Sequence, residues 1–449
     1  MSHEEIKTLS KNRFDVYINP LRRPTPFSIG IEKAWFCNHN ESIIGVVILA
    51  IQDNDYVTIT HHRDNVGRYN FNSIKTNIST LESAEEQLKN DMVSQTNLFK
   101  YEDSRENSMI NLFETSIPED RLHPYFKKLR DLEQFSHAKE MIQHLMPHFK
   151  DIDGNFVEQF QTTGFDSRLW ELYLNFYLIE EQMGFKRIYH APDFMVEKFG
   201  TTVAIEAVTV GRKSPIDDDS GRYSLSPSEI KKMTENDMPI KWGSPLFSKL
   251  RKRYWELEHV KGNPLIIAIA DFHDNGSMLW SSTSLIEYLY GKHDDYHYDD
   301  NGKLVIEPKI IENHQVGSKC IPSGFFFQED AENISAVISS ASATICKFSR
   351  MGKQAGLGSP EVSLARIGFS YKHDENASKP DSFSYVVDEN CEEKWSEGLS
   401  MFHNPNAKHP VPMEMFPSIS HHFHKDGMTN SYLQPFHPYC SQTLFFPQS

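Results

Sequence analysis

The stretch Thr202-Val-Ala-Ile-Glu-Ala-Val-Thr-Val210 indicates a β-strand in the interior of a sheet, because apolar or β-branched residues fill nearly every position. Glu206 is its one charged residue. A carboxylate inside such a strand is costly unless a cation, hydrogen-bond donors or a metal ion hold it. We therefore expect Glu206 to have a specific role, the alternative being that it pairs with a structural arginine.

A second carboxylate precedes this strand in Ala191-Pro-Asp-Phe194. If Asp193 and Glu206 lie on adjacent strands of a hairpin, their oxygens converge. Clustered carboxylates suit Mg²⁺ (or Mn²⁺), which would clamp a phosphate group. The alternative is that Pro192-Asp193 only forms a turn.

A third carboxylate, Glu171, lies in the largely apolar stretch Gly164–Glu181, which predicts a buried helix. At helical spacing, Arg168, Glu171 and Asn175 share one narrow stripe. Glu171 could therefore join the cluster. Alternatively, the stripe faces solvent and Glu171 pairs with Arg168.

Helices and strands alternate around these residues, which predicts an α/β fold with a mixed sheet flanked by helices. The predicted elements are helix 166–183, strands 187–196 and 202–210, a polar loop 211–237, helix 244–259, strand 264–271 and helix 283–290.

Outside this region the patterns predict three further segments. Residues 1–112 predict an α+β N-terminal domain, with strands at 28–36, 43–51 and 56–60 followed by a helix at 84–92. Residues 113–150 predict a helical connector, and 151–350 the core that carries the carboxylates. Residues 351–449, rich in Pro and His, predict a loop-rich C-terminal extension.

Composition narrows the functional classes. The formal charge of −16 over 449 residues opposes a protein that coats nucleic acid by global electrostatics. The five cysteines contain no Cys-x-x-Cys pair and indicate neither a disulfide framework nor a cysteine zinc site. Met1–Lys7 lacks the features of a signal peptide, and no apolar run reaches membrane-spanning length, so we expect a cytoplasmic protein without membrane contact.

The helix with Glu171, the Pro192-Asp193 pair and the strand with Glu206 together resemble the PD-(D/E)xK nuclease superfamily. The resemblance implies a restriction-endonuclease-like fold and Mg²⁺-dependent cleavage of nucleic-acid phosphodiesters. It also implies that Asp193 and Glu206 are metal ligands and that Glu171 is the helix carboxylate. One position departs from the family pattern, because Val208 stands where the family has its lysine.

Such families sometimes supply the lysine from a nearby helix, and the stretch Ser244–Glu256 offers candidates. On a helical wheel, Lys249 flanks the apolar face while Lys252 points almost opposite, so Lys249 is the first choice for the catalytic cation and Lys252 the second. The stretch Lys241–Arg253 contains five basic residues and no acid, which suits contact with phosphates. Alternatively, these are ordinary exposed side chains.

Several other stretches, such as 268–273 and 347–352, resemble uncharacterised bacterial proteins with the same divergent core. That likeness implies prokaryotic anti-phage defence as a context, with nucleic acid, DNA in preference to RNA, as partner. It also implies a second copy or a defence protein as a further partner. The alternative is a catalytically inactive module that keeps the nuclease fold and binds nucleic acid or a protein.

Two weaker patterns remain. Asp271 and His273 follow a buried strand, where they could shape the same cleft or simply cap a turn. The run Ser420–His424, with His403 and His409 nearby, suggests a Zn²⁺ or Ni²⁺ site without the fixed spacing that would identify one.

Overall fold

The computed structural model describes residues 6–24, 30–98, 111–212 and 226–447. Its α-helices are α1 (Lys11–Ile18), α2 (Leu81–Leu98), α3 (Pro124–Asp131), α4 (Ser136–Leu145), α5 (Phe156–Gln161), α6 (Phe165–Glu180), α7 (Pro227–Lys232), α8 (Met238–Leu250), α9 (Ser282–Tyr290) and α10 (Ile345–Gln354). Its strands are β1 (Ile6–Thr8), β2 (Gly30–Asn38), β3 (Ile43–Ala50), β4 (Asp55–Arg63), β5 (Tyr69–Ile78), β6 (Gly184–Phe185), β7 (Phe194–Lys198), β8 (Thr201–Val210), β9 (Leu265–Asp271), β10 (Lys292–Tyr298), β11 (Leu304–Ile310), β12 (Asn313–Val316), β13 (Lys319–Pro322), β14 (Ala336–Ser340), β15 (Val362–Ser370), β16 (Asp381–Val387), β17 (Leu399–His403), β18 (Ser420–Lys425), β19 (Met428–Tyr432) and β20 (Pro438–Pro447). None of the helices in these ranges combines the length and the apolar character needed to cross a bilayer.

An antiparallel sheet in the order β1-β2-β3-β4-β5 occupies the N-terminal part of the chain. β2, β3 and β4 form the predicted meander, and α2 is the predicted helix, so both predictions are confirmed. α2 packs closely on this sheet. A Cβ atom at Gly45 would lie 2.7 Å from Leu88 Cδ1, so any larger residue there would displace the Leu88 side chain.

The central sheet is mixed and has eight strands in the order β19-β18-β17-β14-β9-β8-β7-β6. β8, β9 and β14 are parallel neighbours, and β7 pairs with β8 in an antiparallel hairpin. Side chains alternate between the two faces of a strand. Most residues of β8 and β9 are apolar, so both faces of these strands are largely apolar. Residues such as Ile205 pack with α6 on one face, and residues such as Ile267 pack with α8 and α9 on the other. The predicted mixed sheet with flanking helices is therefore confirmed.

The predicted bounds of three elements around the β7–β8 hairpin are wrong. The strand predicted at 187–196 begins only at Phe194, and the preceding short strand is β6. The helix predicted at 244–259 ends at Leu250, because the chain turns at Arg253, whose φ is 50°. Of the loop predicted at 211–237, residues 213–225 lie outside the described residues, and 226–237 contain α7 and a π-helical turn.

The segment 351–449, predicted to be rich in loops, also contains six strands. β17, β18 and β19 extend the central sheet, and β16, β15 and β20 form a separate antiparallel sheet. β18 consists of Ser420-His-His-Phe-His-Lys425, a composition that local pattern does not assign to a strand. Pairing with β17 and β19 decides its conformation, as tertiary context commonly does for strands.

Buried charges join this C-terminal region to α10. Lys347 Nζ and Arg350 Nε lie 2.7 and 2.8 Å from carboxylate oxygens of Glu393, and Arg366 Nη1 lies 3.3 Å from the same carboxylate. Arg366 also pairs with Glu397. Although burial alone would raise the pKa of Glu393, the surrounding cations hold that pKa well below its ordinary value. Three buried cations thus depend on Glu393.

We predict that Glu393→Gln lowers the free energy of unfolding by about 3–5 kcal/mol, because removing one partner leaves buried charges uncompensated. Urea denaturation measures the change. Glu392→Gln is the matched control, since Glu392 is exposed, and it should stay within about 0.5 kcal/mol of wild type. Equal losses in the two variants would contradict the role assigned to Glu393.

Candidate active site

Glu206 lies in the middle of β8, opposite Ile267 of the parallel strand β9. Its side chain is 6% exposed. By the alternation of strand side chains it shares a face with Ala204 and Val208, the face that α8 covers. The charge therefore sits against a helix and needs a partner from it.

Two side chains from α8 and the turn after it hold Glu206. Lys249 Nζ forms an ion pair with Glu206 Oε1, and the Tyr254 hydroxyl donates a hydrogen bond of 2.6 Å to the same oxygen. Because α8 ends at Leu250, Tyr254 belongs to a separate 3₁₀ turn that returns its ring to the sheet. The structure thus brings together Glu206 and Lys249, the cation preferred from the helical wheel.

The helical wheel that favours Lys249 gives no polar role to Tyr254, which falls on the apolar face of a helix continued through 244–259. A tyrosine among leucines on a buried face is nevertheless a usable signal, since a buried hydroxyl normally finds a hydrogen-bond partner.

Lys252 does not reach the cluster. It is exposed in the turn after α8, and its side chain makes none of the hydrogen bonds or ion pairs in the described parts of the chain. Arg251 and Arg253 are exposed as well, and Arg253 pairs with Glu256 at 3.1 Å. This end of the basic stretch is therefore a solvated surface beside the site.

Asp193 lies where the pairing of β7 with β8 ends. The register pairs Phe194 with Ile205, which places Asp193 opposite Glu206. Asp193 Oδ2 accepts the backbone N–H of Ala207 at 2.7 Å, so its side chain continues the ladder by one bond. The predicted convergence of Asp193 and Glu206 on one hairpin follows from this register.

Glu171 extends from α6 toward the same place. Both of its oxygens accept hydrogen bonds from Arg168 Nη1, at 2.7 and 2.8 Å. The ion pair between Glu171 and Arg168, which the sequence offered as the alternative to a role in the carboxylate cluster, is therefore present. The stripe does not face solvent throughout, however, because Asn175 is 1% exposed.

The three carboxylates interact electrostatically. Desolvation, followed by the negative charges of Glu206 and Glu171, raises the pKa of Asp193 well above its ordinary value. Asp193 is exposed as a residue, so water solvates it in part and the repulsion from its two neighbours is the stronger cause. Burial raises the pKa of Glu171 and Glu206 adds to this, while Arg168 opposes both effects. The cluster holds more negative charge than Lys249 and Arg168 compensate.

Glu171 and Asp193 line a common cavity of about 60 Å³. About 10–15 Å³ suffices for one water molecule, so the cavity has room for several waters or a small ion. In the described ranges, no group of three or more His, Cys, Asp and Glu side chains is arranged to hold a metal ion. Arg168 holds Glu171, and Lys249 with Tyr254 holds Glu206, so the metal role of the carboxylates stays a prediction.

The two weaker patterns lie elsewhere. Asp271 Oδ1 accepts hydrogen bonds from the backbone N–H and Nδ1 of His273 at 3.0 and 2.7 Å, and Asp271 lines a different cavity. His403 Nε2 and His421 Nδ1 are 2.9 Å apart, and His421 Nε2 donates to the Phe416 carbonyl. These contacts use one nitrogen of His403 and both of His421 within the protein, and the described residues give the Zn²⁺ or Ni²⁺ hypothesis no support.

Comparison with known proteins found no matching family model, no matching curated protein and no matching solved structure. The resemblance to nucleases therefore depends on the residues and contacts described above.

We predict opposite effects on stability from Asp193 and Glu206. Because the fold raises the pKa of Asp193, the folded state binds a proton more tightly than the unfolded state, and stability falls as pH rises from about 4 through the raised pKa. Asp193→Asn should therefore raise the melting temperature at pH 8, and the gain should vanish below about pH 4.

Glu206→Ala should instead lower the free energy of unfolding, by about 1–3 kcal/mol, because it leaves the Tyr254 hydroxyl and Lys249 without their acceptor. Thermal and urea unfolding of both variants across pH 4–9 tests the pair of predictions. A shift of the same sign at pH 8 in both variants would show that the assigned electrostatics is wrong.

Proposed function

We propose that the protein is a metal-dependent nuclease with a restriction-endonuclease-like core, and that it hydrolyses nucleic-acid phosphodiesters. The observation that carries the proposal is the ion pair between Lys249 and Glu206. The nuclease pattern lacks its lysine at Val208, and an ammonium group from α8 stands at the Glu206 carboxylate instead.

The order of elements supports the same proposal. The helix with Glu171, the hairpin with Asp193 and Glu206, the helix with Lys249 and the strand β9 follow one another along the chain. The parallel pairing of β8 with β9 requires a crossover connection, and α8 lies within it.

The chemistry of the donor set fits Mg²⁺ or Mn²⁺, which prefer carboxylate oxygens and water. Asp193 and Glu206 would hold the ion with Glu171 as a third carboxylate, and the ion would polarise a phosphate oxygen and lower the pKa of a bound water. Lys249, one-quarter exposed beside Glu206, can offset negative charge that develops on the phosphate.

A second candidate function is a binding module that keeps this core without catalysis. The specific observation for it is that protein groups already hold Glu171 and Glu206, and a metal-free module would keep such pairs for stability. Mixing the pure protein with plasmid DNA and Mg²⁺ or Mn²⁺, with EDTA as control, separates the two candidates.

Within the nuclease proposal, we propose a cytoplasmic role in prokaryotic anti-phage defence. DNA is the favoured substrate over RNA, and a second copy or a defence protein is the expected partner. The exposed basic residues after α8 support contact with a polyanion.

We predict that Lys249→Met lowers the cleavage rate by about 10²–10³-fold, the usual effect of losing one donor to the transition state, with little loss of substrate binding. Lys252→Met is the matched control. It should act only through phosphate affinity, with an effect that grows at low salt. Plasmid cleavage under single-turnover conditions measures both variants.

Full turnover of Lys249→Met with an inactive Lys252→Met would contradict the assignment of the cation. No cleavage of DNA or RNA by wild type with either metal, combined with retained nucleic-acid binding, would favour the module.

A further inference from the structure

The cavity that Glu171 and Asp193 line contains a second polar pair, Asn175 and Arg187. Asn175 follows Glu171 by four residues on α6, so the two side chains are neighbours on the helix surface. Arg187 comes from the irregular segment between β6 and β7. Neither residue belongs to the proposed catalytic set.

Arg187 has no carboxylate partner among the ion pairs of the described residues. Its Nη1 donates to the His148 carbonyl at 2.5 Å and its Nη2 to Asn175 Oδ1 at 3.0 Å. The guanidinium also lies over the Phe185 ring, with 4.3 Å to the ring centre. Burial, and then the positive charge of Arg68, lowers the pKa of Arg187 to about 10. Its charge is therefore held in place without an anion.

The Asn175 side chain also lacks a partner, in its case a hydrogen-bond acceptor for the amide nitrogen. Because Oδ1 accepts from Arg187, the amide orientation is fixed and Nδ2 faces away from that guanidinium. Nδ2 is buried and has no hydrogen-bond partner in the described parts of the chain, although Asn175 is 1% exposed. A buried donor without an acceptor is unfavourable, so an acceptor supplied by a ligand would stabilise this amide.

Charged neighbours in the cavity already have partners. Arg168 holds Glu171, Lys186 pairs with Glu197, and His190 contacts Asp153. Of the other acids that line the cavity, Asp151 accepts the backbone N–H groups of Gly154 and Phe156, and Asp193 accepts that of Ala207. Outside the carboxylate cluster, the groups of the cavity that lack a counter-charge or an acceptor are thus both donors, a guanidinium and an amide.

We propose that Asn175 and Arg187 form an anion subsite that takes a phosphate group of the substrate, beside the carboxylates that carry the chemistry. The proposal rests on the proposed function for the identity of the substrate, whereas the anion-binding property stands on these two residues. A phosphate is the matching ligand because its oxygens accept from the planar arginine fork and from an amide at once. The phosphate belongs either to a strand end or to an internal phosphodiester.

The first experiment uses inorganic phosphate as probe and isothermal titration calorimetry at low ionic strength. We expect wild type to bind phosphate, and Arg187→Met to weaken binding by about tenfold or more, the factor that corresponds to losing roughly 1.4 kcal/mol. Asn175→Asp should have the same effect, because it sets a carboxylate against Arg187 and repels the anion. Lys186→Met, which changes a paired lysine of the same cavity, should bind as wild type does.

If Arg187→Met does not fold, Asn175→Asp and the near-isosteric Asn175→Leu carry the test. Absence of phosphate binding to wild type, or equal binding by wild type, Arg187→Met and Asn175→Asp, would overturn the subsite. Because phosphate binding requires no cleavage, a negative result in the nuclease assay leaves this result readable.

The second experiment separates the two sources of phosphate by fluorescence anisotropy with labelled strands in EDTA. Tighter binding of 5′- or 3′-phosphorylated strands than of unphosphorylated ones, lost in Arg187→Met, assigns the subsite to a strand end. Equal binding of phosphorylated, unphosphorylated and circular strands, weakened equally by Arg187→Met, assigns it to an internal phosphate. No effect of Arg187→Met on any strand would overturn the proposed phosphate role.

Discussion

A negative charge in the middle of an apolar strand constrains everything packed around it. Glu206 has β9 beside it and α8 above it, so its carboxylate must be neutralised and hydrogen-bonded within the protein or by a ligand. Lys249 supplies the charge and Tyr254 the hydroxyl. For both to reach one oxygen, α8 has to end at Leu250 and the chain has to turn back at Arg253. The conformation of the backbone after α8 is therefore what allows the Glu206 carboxylate to be neutralised and hydrogen-bonded.

Glu171, Asp193 and Glu206 lie close together because the pairing of β7 with β8 ends at Phe194. β7 pairs with β8 only as far as Phe194, so beyond that point the edge of β8 carries no strand on that side. Asp193 occupies the next position and bonds to the Ala207 N–H. Glu171 comes from the helix on one face of the sheet and Lys249 from the helix on the other. A gap in strand pairing is what allows side chains from both faces to act on the same charges.

The C-terminal segment shows a different use of buried charge. Glu393 binds three cations from α10 and β15 in the interior, where none of them contacts the candidate site. A buried network of this kind is sensitive to the loss of any member, and it joins α10 to the small sheet by specific pairs. Here the charges hold elements together. Around Glu206 they leave negative charge in excess, and carboxylates perturbed in this way are more common at functional sites than in structural ion-pair networks.

The sequence alone determined the mixed α/β class, the strand with Glu206, the helix with Glu171 and the preference for Lys249, because these follow from side-chain period and from the cost of a buried charge. It did not determine the end of α8, since a turn at Arg253 has no local signal and an apolar Tyr254 at helical spacing looks like a continued helix. The sequence also did not predict β18, because pairing with a strand on each side, and not its histidine-rich composition, makes this segment a strand. Contacts between residues far apart in the chain determined which side chains hold Glu206. They also determined that the Asn175 amide lacks an acceptor and that Arg187 lacks a carboxylate partner among the described residues. Such contacts depend on register and on where strands stop, and no local pattern of residue types contains either.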